Sequence, residues 1–157
     1  MSERLYIAPV VAEDAAEMVA VLADPMLYEY TGGSAPDVSE LNARYERQLR
    51  DSPVAGERWF NWIVRLTSTD EAIGFTQATV VNGSADIAWL IGVSWQGQGL
   101  GTAATKQMMD LLIGLGVQRF RACIHADHLA SQHVAASSGL SPTSELADGE
   151  MVWILDP

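Results

Sequence analysis

The segment Val93-Ser94-Trp95-Gln96-Gly97-Gln98-Gly99-Leu100-Gly101-Thr102-Ala103-Ala104 constrains this chain more than any other. An apolar, strand-like run enters it and a helical pattern leaves it. Three glycines within five residues let the backbone turn tightly with no Cβ in the way. At a helix start the first amide N–H groups have no intrahelical acceptor and lie at the positive end of the dipole. Such a loop is a nest for a pyrophosphate and needs no basic side chain, and this one carries none. Read on its glycines only, it is also compatible with an ordinary strand-to-helix turn.

The pattern around the loop alternates strands and helices. Residues 4–8 predict a short strand, and 12–23 a helix with Ala16, Val19, Leu22 and Ala23 at helical spacing. Residues 31–36 read as a loop, after which Asp37 and Glu40 form a capping-box pattern before Leu41, Tyr45 and Leu49. Residues 59–66, 72–81 and 85–93 predict three strands rich in Trp, Phe, Ile, Val and Thr, with Asn82-Gly83 as a hairpin turn. A helix is expected over 99–114 with Leu100, Ala104, Met108, Leu111 and Leu115 on one face. A strand over 117–125, a helix over 129–138 and a hairpin over 142–155 around Asp148-Gly149 complete the chain. The pattern amounts to one domain over 1–157, with no repeat, linker or low-complexity tract.

Composition narrows the function classes. The net charge of −11 argues against nucleic-acid backbone binding, which needs clustered Lys and Arg. No apolar run is long enough to span a bilayer, and no secretory signal pattern opens the chain. A single cysteine, Cys123, excludes a disulfide framework and a cysteine-rich metal site, so no metal is expected and the cytoplasm is the expected compartment. Cys123 lies in a β pattern and reads as a structural thiol rather than a nucleophile.

Two phosphate-binding patterns overlap in the loop. Gly99-x-Gly101-x-x-Ala104 fits a dinucleotide fingerprint, with Asp127 as a possible ribose partner. That fold needs several βα units after this strand, and the residues after Ala104 predict only one strand, one helix and a hairpin. The other pattern is Gln96-x-x-Gly99-x-Gly101, which resembles the Arg/Gln-x-x-Gly-x-Gly/Ala signature of Gcn5-related N-acetyltransferases (GNAT). Downstream, His128-Leu-Ala-Ser131-Gln-His-Val134-Ala-Ala-Ser-Ser-Gly139-Leu140 is similar to that family's second cofactor motif. Ile73-Gly74, Ala88-Trp89-Leu90-Ile91, Asp24-Pro25 and Tyr28-Glu29-Tyr30-Thr31 resemble its RimJ/RimL-like ribosomal-protein branch.

The resemblance implies an α/β fold: a mixed, largely antiparallel sheet of six to seven strands with flanking helices. The fourth and fifth strands, 85–93 and 117–125, would lie side by side and splay apart near Val93. It implies acetyl-coenzyme A as co-substrate and no metal. Backbone groups of Ile91 and Val93 would pair with the pantetheine arm. Gln96, Gly97, Gln98, Gly99, Gly101 and Thr102 would bind the pyrophosphate, and His128 and Ser131 would face the cofactor. His128 replaces the family's usual Asn, Leu140 its usual Phe, and Ala135 stands where many relatives carry a Tyr. The implied activity is acetyl transfer to a primary amine, a protein N-terminus or a small molecule, by direct attack. The chain would work as a monomer or homodimer, with no nucleic-acid or membrane partner. A non-catalytic acyl-coenzyme A-binding module on the same fold is the alternative.

The attacking amine must be neutral. Near pH 7 this costs an α-amine about 1 kcal/mol and a lysine amine about 4.6 kcal/mol. A carboxylate could take the proton. Asp86, opening the strand 85–93, is the first candidate base and Glu29 the second, with a role in substrate contact. His125 and His133 are candidates by residue type, and Trp89 is a candidate wall for the acceptor pocket.

Overall fold

A computed structural model describes residues 4–156. Among them the elements run β1 (Leu5–Pro9), α1 (Asp14–Val21), α2 (Val38–Gln48), β2 (Glu57–Leu66), β3 (Ala72–Val81), β4 (Ser84–Ile91), α3 (Leu100–Gly114), β5 (Arg119–Ile124), α4 (Leu129–Ser137), β6 (Ser141–Ala147) and β7 (Glu150–Leu155). Short 3-10 turns over Pro25–Tyr28 and Val93–Trp95 have no counterpart in the sequence pattern. All seven strands form one sheet in the order β1-β2-β3-β4-β5-β7-β6. Every pairing is antiparallel except β4 with β5, which is parallel. Both short hairpins arise from their turn residues. Asn82-Gly83 and Asp148-Gly149 all adopt positive φ, the combination a tight two-residue turn requires.

Strand alternation divides the side chains between two faces. On one face Ala85, Ile87, Phe120, Ala122, Ile124 and Trp153 pack with Met108, Met109 and Leu112 of α3. On the other, α1 and α2 bring Met18, Leu22, Leu41 and Tyr45 onto Ile63. A third cluster, Leu5, Val64, Ile73, Ile91, Leu100 and Ala104, pins the start of α3 against β1, β2, β3 and β4. It fixes the glycine-rich loop relative to the end of β4. The buried stripe of α3 winds round the helix as it crosses the sheet, through Leu100, Ala104, Thr105, Met108, Met109 and Leu112. Leu111 and Leu115, expected on that face, are exposed.

Helix α1 is stapled to the sheet by charge. Arg65 on β2 donates to Asp14 at 2.7 Å and to Glu17 at 3.0 Å, and the Ala72 N–H donates to Glu17 at 2.7 Å. The Ala72 bond, aided by Arg65 and opposed by burial, holds the Glu17 carboxyl below its ordinary 4.5. A depressed carboxyl stabilises the fold above its unfolded value, and that contribution is lost as pH falls through the folded one. Glu17→Gln should therefore cost about 1 kcal/mol or less at pH 7, given the partly exposed pair. The difference should vanish well below pH 4.5 in paired urea titrations.

Candidate active site

β4 and β5 run side by side for three residue pairs, Ser84 with Arg119, Ala85 with Phe120 and Asp86 with Arg121, and then part. Each keeps its other neighbour. β4 stays on β3 to Ile91, and β5 stays on β7 to Ile124. The result is a wedge-shaped gap with its apex at Asp86 and Arg121. The parting begins well before Val93, where the family resemblance implied it. Val93 itself lies outside the strand, in the 3-10 turn, where its C=O accepts from the Gln96 N–H. The chain must turn there to carry Gln96 toward α3.

The Gly92 N–H donates to Ile73 on β3, so alternation turns the backbone groups of Ile91 toward the gap. The Gln96 side-chain amide donates to the Ile91 C=O at 2.8 Å, which leaves the Ile91 N–H facing the opening. Gly97 and Gly99 have φ of 78° and 77°, values that only glycine adopts without strain. The Ala103 N–H donates to the Gly99 C=O and starts α3, so the amides of Leu100, Gly101 and Thr102 precede the helical ladder. At Gly101 an added Cβ would stand 3.2 Å from Val134 Cγ2 and 3.6 Å from Ile91 Cγ1. A side chain there would wedge between the end of β4 and α4. The opening suits a thin chain ending in a pyrophosphate, and the amides at its rim suit the phosphates.

Arg4 joins the loop from β1's end of the chain. Its Nη2 donates to the Gln98 C=O at 2.7 Å and lies 3.4 Å from the Cβ position of Gly99. The cation that the loop lacks locally is thus supplied across 94 residues, a separation no local pattern reveals.

The carboxylates and imidazoles fall at two levels of the gap. Asp86 is at the apex, on the α1–α2 face, with its side chain 61% exposed and Arg121 Nη1 3.4 Å away. Cys123 is two residues along β5 on the same face, and burial pushes its thiol up, so it stays protonated near neutrality. At the mouth, His125 follows the end of β5 and His128 precedes α4. The Asp127 N–H donates to His125 Nδ1 at 3.0 Å, so the neutral ring carries its proton on Nε2. His128 Nε2 lies 3.3 Å from the Ser131 hydroxyl. Burial, and after it the neighbouring His125, holds His128 below its ordinary 6.5, with Glu29 opposing. Tyr30 reaches both rings. Its centroid lies 4.8 Å from His128 in a stacked arrangement and 5.3 Å from His125. Glu29, the second candidate base, is exposed next to Tyr30 at this mouth.

Other candidates separate from the gap. His133 is exposed on α4. Trp89, expected as an acceptor wall, packs against the α3-side core instead, because alternation places it on the face opposite Asp86. Among the described residues no His/Cys/Asp/Glu group could hold a metal ion, and no helix is long and apolar enough to cross a membrane.

This geometry has relatives of known structure. RimL, a ribosomal alpha-N-protein acetyltransferase solved with coenzyme A, superposes with TM-score 0.82 at 16% identity, over 99% of this chain and 95% of that one. The aminoglycoside acetyltransferase AAC(6')-Ib, also with coenzyme A, gives 0.78 at 19%, over 97% and 94%. The microcin self-immunity acetyltransferase MccE, solved with acetyl-CoA and AMP, gives 0.81 at 14%, over 99% and 94%. At these identities the likeness establishes the fold. No curated protein matches the chain in sequence. The family model of the acetyltransferase (GNAT) domain matches residues 4–141, nearly the whole chain, and with the splayed parallel pair and the glycine-rich start of α3 it makes the chain a member of the GNAT acetyltransferase family.

Proposed function

We propose that this chain transfers an acetyl group from acetyl-coenzyme A to a primary amine. The observation that carries the reading is the gap between β4 and β5, which opens directly onto the glycine-rich start of α3. Bound acetyl-coenzyme A would supply the activated acetyl group. Amides of Gly97, Gln98, Gly99, Gly101 and Thr102 would hold its pyrophosphate, with Arg4 beside them. The Ile91 N–H would pair with its arm, and His128 and Ser131 would line the other side of the mouth. From Ile91 back to Asp86 is five residues, about 17 Å of strand, so the apex lies deep in the gap.

Asp86 is the proposed base. It faces the α1–α2 side at the apex, and Arg121 across the parallel pair orients it. It would draw the proton from an incoming ammonium, directly or through one water. Glu29 would guide the amine at the mouth. An α-amine, about 1 kcal/mol from its neutral form near pH 7, suits this single exposed carboxylate better than a lysine amine at about 4.6 kcal/mol. The RimJ/RimL-like resemblance and the α-N-protein activity of RimL point to a protein N-terminus. The aminoglycoside acetyltransferases keep a small-molecule amine in contention.

The dinucleotide reading of the loop fails on topology: β4 belongs to an antiparallel meander, and one parallel strand comes after it. Calorimetric titration with acetyl-coenzyme A and with NAD tests the cofactor directly. The reading requires binding of the first and none of the second.

A further inference from the structure

The connection from α1 to α2 crosses the open end of the gap. At its start, α1 abuts the end of β4: a Cβ on Gly92 would lie 3.2 Å from Val21 Cγ1. Pro25 then faces Val93, Ser94 and Trp95 across a groove of about 590 Å³. Five residues later, Tyr30 rests on His125 and His128, where β5 ends and α4 begins. Residues 25–30 therefore span from one splayed strand to the other. The first end is firmly built. Asp24 caps the 3-10 turn by accepting from the Met26 N–H at 2.9 Å, and the Tyr28 hydroxyl donates to the Leu22 C=O at 2.7 Å. The far end rests on rings. The Tyr30 hydroxyl has no hydrogen-bond partner among the described residues, so its attachment is by stacking.

We propose that Tyr30, clasped by the rings of His125 and His128, is the latch of a strap over the cleft mouth and positions Glu29 there. The acceptor and the cofactor arm would pass beneath this strap. Its placement over a substrate channel rests on the acetyltransferase reading; the latch itself does not. The charged groups facing His128 are His125 at the end of β5 and Glu29 on the strap, and Asp127 lies 4.0 Å from His125 Nδ1. Burial holds His128 below its ordinary 6.5, and the Tyr30 ring stacked on it at 4.8 Å supplies part of that cover. The latch is therefore at full strength above that value and weakens as pH falls through the depressed one. The strap opens on acidification.

Hydrogen–deuterium exchange on the full, ligand-free chain tests the latch. In Tyr30→Ala the protection of residues 25–33 should fall about tenfold, the scale that two aromatic contacts carry. Tyr30→Phe keeps the ring and should stay within about twofold of wild type. Protection within twofold in the Ala variant, or a Phe variant as open as the Ala one, would overturn the proposal. Should the Ala variant fail to fold, the wild type still decides it. Protection of 25–33, corrected for intrinsic exchange, should drop between pH 7 and 5 while β2 and β3 hold; a flat profile would refute the latch. Stopped-flow displacement of acetyl-coenzyme A should show about tenfold faster release from Tyr30→Ala. A release rate equal to wild type would remove the strap from the channel. No binding to wild type would instead sink the acetyltransferase reading and leave the exchange result standing.

Discussion

Gly101→Asp should abolish acetyl-coenzyme A binding while the chain stays folded. The new Cβ enters the space between Val134 and Ile91, where atoms already lie 3.2 and 3.6 Å away. The carboxylate it carries is attached within the run of amides proposed to receive the phosphates. Two like charges about 4 Å apart at an effective dielectric of 20 repel by about 4 kcal/mol, roughly a thousandfold in affinity. Crowding against Val134 Cγ2 should cost the fold about 1–3 kcal/mol. Calorimetry measures the first effect and urea unfolding of the ligand-free chain the second. Gly101→Ala adds the Cβ without the charge, so its smaller loss separates sterics from repulsion. An Asp variant that binds as tightly as wild type would place the phosphates elsewhere.

Asp86→Asn should lower turnover by about 10²–10⁴ at neutral pH and leave acetyl-coenzyme A affinity unchanged. The substitution keeps the side chain's shape and removes its charge. It also removes the partner of Arg121, at 3.4 Å an ion pair of surface type that contributes little to stability. The effect should therefore appear in chemistry and not in the melting curve. Activity should recover in part as pH rises, because more of the acceptor amine is then neutral without help. A solvent-facing aspartate with no part in proton transfer gives another pattern: turnover within about twofold across the pH range.

The fold was legible wherever periodicity and turn chemistry agreed. The meander was readable because Asn82-Gly83 leaves few backbone choices between two β-branched runs. The capping box at Asp37 and Glu40 forms as its spacing predicts, each side chain accepting from the other residue's N–H. The glycine-rich loop was readable because positive φ and an open helix start impose residue types locally. Val93 reads as strand because β propensity cannot see that Gly92 is the last residue held by β3. Arg4 carried no local signal, and Tyr30 stood out only within the Tyr28–Thr31 resemblance, with no sign of its ring partners. Each acts on residues about a hundred positions away, and only the sheet order brings them together. The apex at Asp86 and Arg121 was hidden for the same reason: where a parallel pair parts depends on what each strand packs against elsewhere.

The central claim is amine-dependent acetyl transfer, and thiol release measures it most directly. Acetyl-coenzyme A is incubated with the chain and a panel of N-terminal peptides, polyamines, amino acids and aminoglycosides, with mass spectrometry of the products. The expected result is thiol release that depends on one class of amine, matched by an equal amount of N-acetylated product. Tight binding of acetyl-coenzyme A with thiol release no faster than buffer for every amine would contradict the claim, and would make the chain an acyl-coenzyme A-binding module.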